Sequence, residues 1–321
     1  MTKFSSIIIA CSMTALPLHA ETSVIVTLTS IGDRIRAQNP DLAAARLRIK
    51  EVLGRSKQSG RLKNPELETA IERNTHSGEG RFEIGFSQRF PLTDRLRLEQ
   101  NVSLTEFKSS QAEVREVERL IVAKARELVV RILANRQRRE LLKEQSLLSE
   151  KFADFLTQIA AKGEGSAIDA GQAKLDAATL AMETRRLTAE ETSLLGELKP
   201  LLGMRTGEAL HVSGSLPEPT LPTADFNPSK RPDFQQAKLD AQAAAQAVTL
   251  EQAQRYEELE AGVFAGGERS EDAPEGISND SFIGLRFKMP LPFWNKNEGA
   301  IQEAQARQAR MNQEAIALGR N

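Results

Sequence analysis

One phrase occurs twice in this chain, and it limits the available folds more than any bulk property does. Phe82 to Leu92 reads Phe-Glu-Ile-Gly-Phe-Ser-Gln-Arg-Phe-Pro-Leu. Ser281 to Gly299 reads Ser-Phe-Ile-Gly-Leu-Arg-Phe-Lys-Met-Pro-Leu-Pro-Phe-Trp-Asn-Lys-Asn-Glu-Gly. Ile84-Gly85-Phe86 aligns with Ile283-Gly284-Leu285, and Phe90-Pro91-Leu92 with Met289-Pro290-Leu291, both at an offset of 199. Upstream, Asn39-Pro40-Asp41-Leu42 aligns with Arg231-Pro232-Asp233-Phe234 at an offset of 192. A unit of helix, strand, loop, strand, corner and helix is therefore present twice, and such repeats decide a fold before any local propensity does. The change of offset falls between the two strands, so it predicts a longer hairpin loop in the second copy.

Each phrase alternates as a strand with unlike faces. Ile283, Leu285, Phe287 and Met289 share one face, and Gly284, Arg286 and Lys288 the other. Leu67 and Ile71, and Ile84 and Phe86, occupy the same kind of face in the first copy. Pro91, Pro290 and Pro292 end the strands, because proline cannot donate to a ladder. Asn297 is placed to cap the following helix, with Glu298 against its dipole. Phe293 and Trp294 lie at the corner.

In chain order, Asn39 and Pro40 open a helix that Gly60 and Asn64-Pro65 stop. Strands are predicted over residues 66–73 and 81–90, with a polar loop between. From Asp94 to Ala161 there is no proline and no glycine, which predicts one helix about 100 Å long. Leu141, Gln145, Leu148, Phe152, Phe155 and Ile159 have the spacing of a coiled-coil seam, and Val114, Val117, Ile121, Ala125, Leu128 and Ile132 keep a similar rhythm. Gly163, Gly165, Ser166 and Asp169 form a turn with a capping-box pattern. A return helix carries Leu180, Leu187, Leu194 and Leu201 and ends near Pro200. Residues 94–200 are thus a helical hairpin, and 21–202 the first repeat.

Residues 203–231 are a Pro-rich connector, expected to be extended. The second repeat, 232–321, has strands predicted at 258–266 and 282–289 around a long acidic loop holding Glu271, Asp272, Glu275 and Asp280. That loop is a solvated external segment or, more sharply, an attractor of cations at a pore mouth. The second copy stops at Asn321, about 80 residues short of a matching hairpin. The expectation is a truncated form that does not seal a duct alone.

Composition excludes more than it identifies. The 321 residues carry 43 Lys and Arg against 44 Asp and Glu, a net charge of -1 with the signs interspersed, so no nucleic-acid surface is indicated. Of the fifteen aromatic residues, nine fall in the two strand windows, which ties them to the sheet. Residues 1–20 have the form of a secretory signal, with Lys3, an apolar run and Leu18-His19-Ala20 before the cut. A lipoprotein cut at Cys11 is the other reading. No cysteine lies beyond Cys11, so disulfides and thiolate metal sites are excluded from the body of the chain. No catalytic constellation and no cofactor motif occurs. His76, in the first hairpin loop near Glu72 and Glu79, reads as a surface histidine rather than a ligand.

The duplicated unit of helix, two strands and long helical hairpin behind a signal resembles the TolC family of outer-membrane efflux proteins over about residues 31–321. The run from Met289 to Gly299 resembles the Pro-Leu-Pro-x-x-Asn-(Arg/Lys)-Asn-x-Gly corner of its cobalt–zinc–cadmium, heavy-metal branch, with Lys296 where Arg is usual. The resemblance implies a mainly α protein with β-hairpins. It implies a homotrimer whose four strands per chain build a 12-stranded β-barrel in the outer membrane, with helices in the periplasm. It further implies a passive exit duct for metal cations, served by a periplasmic adaptor and an inner-membrane resistance–nodulation–division pump. Leu67, Ile71, Ile84, Phe86, Ile283, Leu285 and Phe287 would then face lipid. Gly163, Gly165, Ser166 and Asp169 would be the tip where the adaptor docks. Independently, four strands cannot close a barrel, whereas twelve can, and an open sheet would leave bare edges in hydrocarbon. Two rival classes remain. A soluble periplasmic adaptor also carries a coiled-coil hairpin, but should not repeat a strand–proline corner. The alternating hairpins could also pack in a soluble sandwich.

Overall fold

The computed structural model describes residues 23–219, 227–272 and 276–320, and the side chain of Asp272 is not described. The expected signal segment, Cys11 and Glu275 lie outside the described residues. The described chain forms two compact units, one of residues 23–39 and 121–219, the other of 40–120 and 227–320.

In chain order the elements are β1 (Val24–Val26), α1 (Ile31–Gln38), α2 (Pro40–Gln58), β2 (Glu66–Arg73), β3 (Gly80–Phe90), α3 (Arg95–Ala161), α4 (Ala167–Leu201), β4 (Leu210–Val212), α5 (Pro232–Ala253), β5 (Leu259–Asp272), β6 (Gly276–Lys288) and α6 (Glu298–Arg320). The predicted repeat is present as α2-β2-β3-α3 and α5-β5-β6-α6. The uninterrupted stretch after Asp94 forms a single helix of 67 residues.

The first unit is built on the hairpin of α4 and the later part of α3. Its buried residues include Ala125, Leu128, Val129 and Ile132 on α3 and Leu187, Leu194 and Leu198 on α4. Each such leucine, isoleucine or valine contributes about 1.5–3 kcal/mol on burial. The predicted leucine heptad therefore holds at Leu187 and Leu194, then shifts to Leu198. Nearer the tip the apolar seam is uncovered in the single chain, as the absence of a second hairpin predicts, and a different stripe packs on α4. Leu141, Leu148, Phe152 and Phe155 are exposed, whereas Ser146, Ala153, Ala173 and Ala177 are buried. Ala153, Ala173 and Ala177 pack together with Leu156. The inner stripe of α3 is thus displaced by one residue from the apolar one, because small side chains let two helices approach closely while the large ones stay outside.

Two elements here were not legible in sequence. The expected connector contains β4, which pairs in parallel with β1 through Val24–Leu210, Ile25–His211 and Val26–Val212. Arg136 donates to the Val212 carbonyl at 2.5 Å and to the Glu191 carboxylate at 2.6 Å, and Arg139 also pairs with Glu191. A buried carboxylate with two guanidiniums thus fastens α3, α4 and β4. Asn39 is buried and donates to the Leu201 carbonyl at 2.9 Å.

The second unit contains one antiparallel sheet of order β2-β3-β5-β6, followed on the chain by α3 and α6. The second hairpin corrects the sequence reading. Its pairing runs out to Asp272 opposite Gly276, with Glu268 opposite Asp280. The extra residues lengthen the strands rather than the loop, because Gly267 to Ser270 and Ile277 to Asp280 continue the alternation of the ladder.

Two outcomes test these contacts. Glu191→Ala leaves two guanidiniums facing a vacated site and should cost about 2–3 kcal/mol, read as a lowered thermal midpoint. A loss below about 0.5 kcal/mol would contradict the fastening role. Asp233 accepts from Arg231 at 2.6 Å and from the Phe234 N–H at 2.8 Å at the start of α5. The Arg231 bond, against some cost of burial, holds its carboxyl below the usual aspartate range. A depressed folded value means the stabilisation is present above the unfolded value near 3.9 and is lost as pH falls through the folded one. Asp233→Asn should therefore cost about 1 kcal/mol at neutral pH, and the variant and parent should converge as acid protonates Asp233 in the folded state as well.

Candidate functional site

The chemistry of this chain is concentrated on the sheet, its corners and the hairpin tip. The ladder places Leu67 opposite Phe86, Thr69 opposite Ile84, and Ile71 opposite Phe82. It continues from Phe86 to Val263 and Ile84 to Ala265, then to Leu285 and Ile283, with Ala261 opposite Phe287. One face is therefore apolar across all four strands. It is also open, with Ile71 79% and Ile283 85% exposed. Every residue predicted for a lipid-facing surface lies on this face and is solvent-exposed in the single chain.

The opposite face is charged. Arg81 pairs with Glu83 at 2.9 Å, and Arg89 with Glu66 at 3.2 Å and Glu260 at 3.3 Å. Arg286 pairs with Glu68 at 2.9 Å and Glu83 at 2.5 Å. Two aromatic rings lie among these charges. Phe264 and Phe282 meet edge to face at 6.1 Å, and Arg286 and Arg81 lie over them at 4.9 and 4.7 Å. Glycine makes room for the rings: a Cβ at Gly266 would stand 2.6 Å from the Phe282 ring, and one at Gly284 would enter that of Phe264. A hollow of about 390 Å³ is bounded by Glu68, Glu72, Arg81, Glu83 and Arg286. Sequence reading assigned the two faces but missed this network. The glycines at Gly262, Gly266 and Gly284 were its available signal.

At the second corner the chain turns tightly, with the Phe293 N–H donating to the Leu291 carbonyl at 2.8 Å. Phe293 and Trp294 stack edge to face at 6.1 Å, and Trp294 is 95% exposed. Asn297 departs from its predicted role. It has φ 58°, in the left-handed region that asparagine tolerates. Its side chain donates to the Glu251 carbonyl and carboxylate, both at 2.9 Å, while its backbone carbonyl starts α6 by accepting from Ile301 at 3.1 Å. Asn297 thus ties the corner to α5 instead of capping α6 with its side chain. Pro91, Pro290 and Pro292 follow the strands as expected. Below the sheet, Glu258 accepts from Lys63 at 2.9 Å and Arg95 at 2.5 Å.

The tip forms as a Schellman turn. Gly163 has φ 79°, its N–H donates to the Ala160 carbonyl, and that of Glu164 to Ile159, both at 3.1 Å. Ser166 accepts from the Asp169 N–H at 3.3 Å, which is the first half of the predicted capping box. Gly163, Gly165, Ser166 and Asp169 are all exposed, as is Ile168. In the first hairpin loop His76 meets the Thr75 hydroxyl at 2.9 Å. Hydrogen bonds from Ser77 and Asn74 hold Glu79 below the usual carboxylate range. Among the described residues, no group of three or more His, Cys, Asp or Glu is placed to hold a metal, and no helix is long and apolar enough to cross a membrane.

No protein-family model matches the chain, and neither does any curated protein. Solved structures do. The outer membrane protein VceC of Vibrio cholerae matches with a TM-score of 0.69 at 21% identity, over 91% of this chain and 74% of that one. The outer membrane channel CmeC of Campylobacter jejuni matches with a TM-score of 0.69 at 15% identity, over 98% and 75%. The outer membrane channel MtrE of Neisseria gonorrhoeae gives 0.70 at 14%, over 91% and 70%. Identities this low carry architecture and not activity. With its repeated hairpins in one sheet and its long helical hairpin, the chain has the TolC-like fold of the outer-membrane channels.

Proposed function

We propose that this chain is the protomer of an outer-membrane exit duct in a tripartite efflux system. The observation that carries the reading is the sheet. Its apolar face is open on every strand, its charged face is lined by ion pairs, and both edges, β2 and β6, lack a partner strand among the described residues. A sheet of this kind suits hydrocarbon outside and water inside, and lipid tolerates no free edge. Three copies supply the twelve strands of a closed barrel. In this reading transport is passive, and energy comes from an inner-membrane pump.

In this reading Leu67, Ile71, Ile84, Phe86, Ile283, Leu285 and Phe287 face lipid. Gly163, Gly165, Ser166 and Asp169, on an exposed turn, receive a periplasmic adaptor. The corner from Met289 to Gly299 supports a cargo of heavy-metal cations. The soluble adaptor is disfavoured because both hairpins join one sheet, and because the fold is that of channels.

Two measurements test the proposal. Expressed with its leader, the chain should fractionate with the outer membrane and need detergent for extraction. Recovery in the periplasm without detergent would sink it. Trp294 is the sole tryptophan, and its exposure beside the apolar face suits the aromatic belt at a membrane boundary. In proteoliposomes its emission should be quenched by lipids brominated near the headgroups and shielded from aqueous iodide. Free quenching by iodide would place the corner in water.

A further inference from the structure

The ion pair between Arg286 and Glu68 joins the two ends of the sheet. Arg286 lies on β6 and Glu68 on β2, which are opposite edges of the order β2-β3-β5-β6. Three strand spacings amount to about 14 Å in a flat sheet, farther than one guanidinium and one carboxylate side chain span together at that geometry. The 2.9 Å contact therefore requires a curled sheet, with the charged face concave. Several features make the reach possible. The ladder rung of Arg286 carries Gly262 and Ser87, and the neighbouring rung carries Gly284 and Gly85, so no long side chain stands in the path except Phe264. That ring lies beneath the Arg286 guanidinium, 4.9 Å away. On the way Arg286 also meets Glu83 of β3 at 2.5 Å, and Arg81 braces Glu83 from the other side at 2.9 Å. Ser87 donates to Glu68 at 3.2 Å and orients it.

We propose that Arg286 is a clasp that sets barrel curvature inside the single protomer, before copies meet. The inference rests on the concave face becoming the lumen. Sheets curl only with built-in devices such as glycines and bulges, and here the glycines permit the bend while the clasp selects its degree. A protomer already curled presents β2 and β6 at the angle at which neighbours can pair. Without the clasp, both edges would sample flat arrangements, and productive closure would become rarer. Arginine is required at this position because its planar fork serves two carboxylates at once, which a lysine ammonium cannot do with the same geometry.

The experiment uses the full chain with Cys11→Ser and spin labels at Ala70→Cys and Asp280→Cys, both on the concave face of the edge strands. The interlabel distance is read by pulsed electron resonance in detergent-solubilised protomer. The distribution should be short and narrow in the parent and longer and broader in Arg286→Ala. It should be intermediate in Arg286→Lys, and the reversed pair E68R/R286E should not restore it, because Glu83 would then face a second carboxylate. Trimer formation by Arg286→Ala should slow roughly tenfold with helix content unchanged. An unaltered distance in both Arg286→Ala and Arg286→Lys overturns the clasp. Recovery of the parent in the periplasm without detergent would instead count against the channel reading, and the distance measurement decides the clasp either way.

Discussion

A sheet of four strands with an apolar outer face and a charged inner one cannot be complete by itself, and the rest of the structure follows from that incompleteness. Its backbone edges at β2 and β6 have no partner strand among the described residues, and its outer face leaves Leu, Ile and Phe side chains exposed. Water opposes the second condition and hydrocarbon the first. Closure of several copies within a lipid layer satisfies both. The charged face gains from curvature, since ion pairs that would be far apart on a flat sheet meet across the concavity. Arg286, Glu68 and Glu83 are the clearest case.

The corners transfer order from sheet to helices. Strand pairing must end where the helices begin, and prolines end it without leaving orphan donors. At the second corner Asn297 takes a left-handed conformation and spends its amide on the end of α5. Lys63, Arg95 and Glu258 tie the first corner to the second copy. The two halves of the repeat are thus tied together at the base of the sheet by polar groups. Within the first unit the buried Glu191, held by Arg136 and Arg139, performs the equivalent fastening.

Much of this was legible because it is written in local periodicity. Strand β2 occupies the predicted residues, and β3 begins one residue early. The long helix begins one residue later than predicted, as expected from a stretch free of proline and glycine. The tip turn follows from Gly163 and Ser166, whose conformations are local preferences. Apolar and polar faces follow from alternation alone. What failed were readings in which a residue's partner lies far along the chain. Strand β4 was hidden because three residues carry no period, and its pairing with β1 spans 186 positions from Val24 to Leu210. The acidic segment read as loop because charge was taken for solvent contact, whereas the ladder tolerates charge on a watered face.

The sequence by itself determined the duplication, the strand faces, the length of α3 and the turn at its end, since each depends on neighbours within a few residues. Only tertiary structure decided which stripe of α3 packs on α4. Close helix approach chose Ala153 over Phe152 and Phe155, and no propensity distinguishes the two stripes. It decided that Asn297 serves α5 and not α6. It also decided that Arg286 spans the sheet, because a side chain's reach depends on the curvature beneath it, and curvature is a property of four strands together.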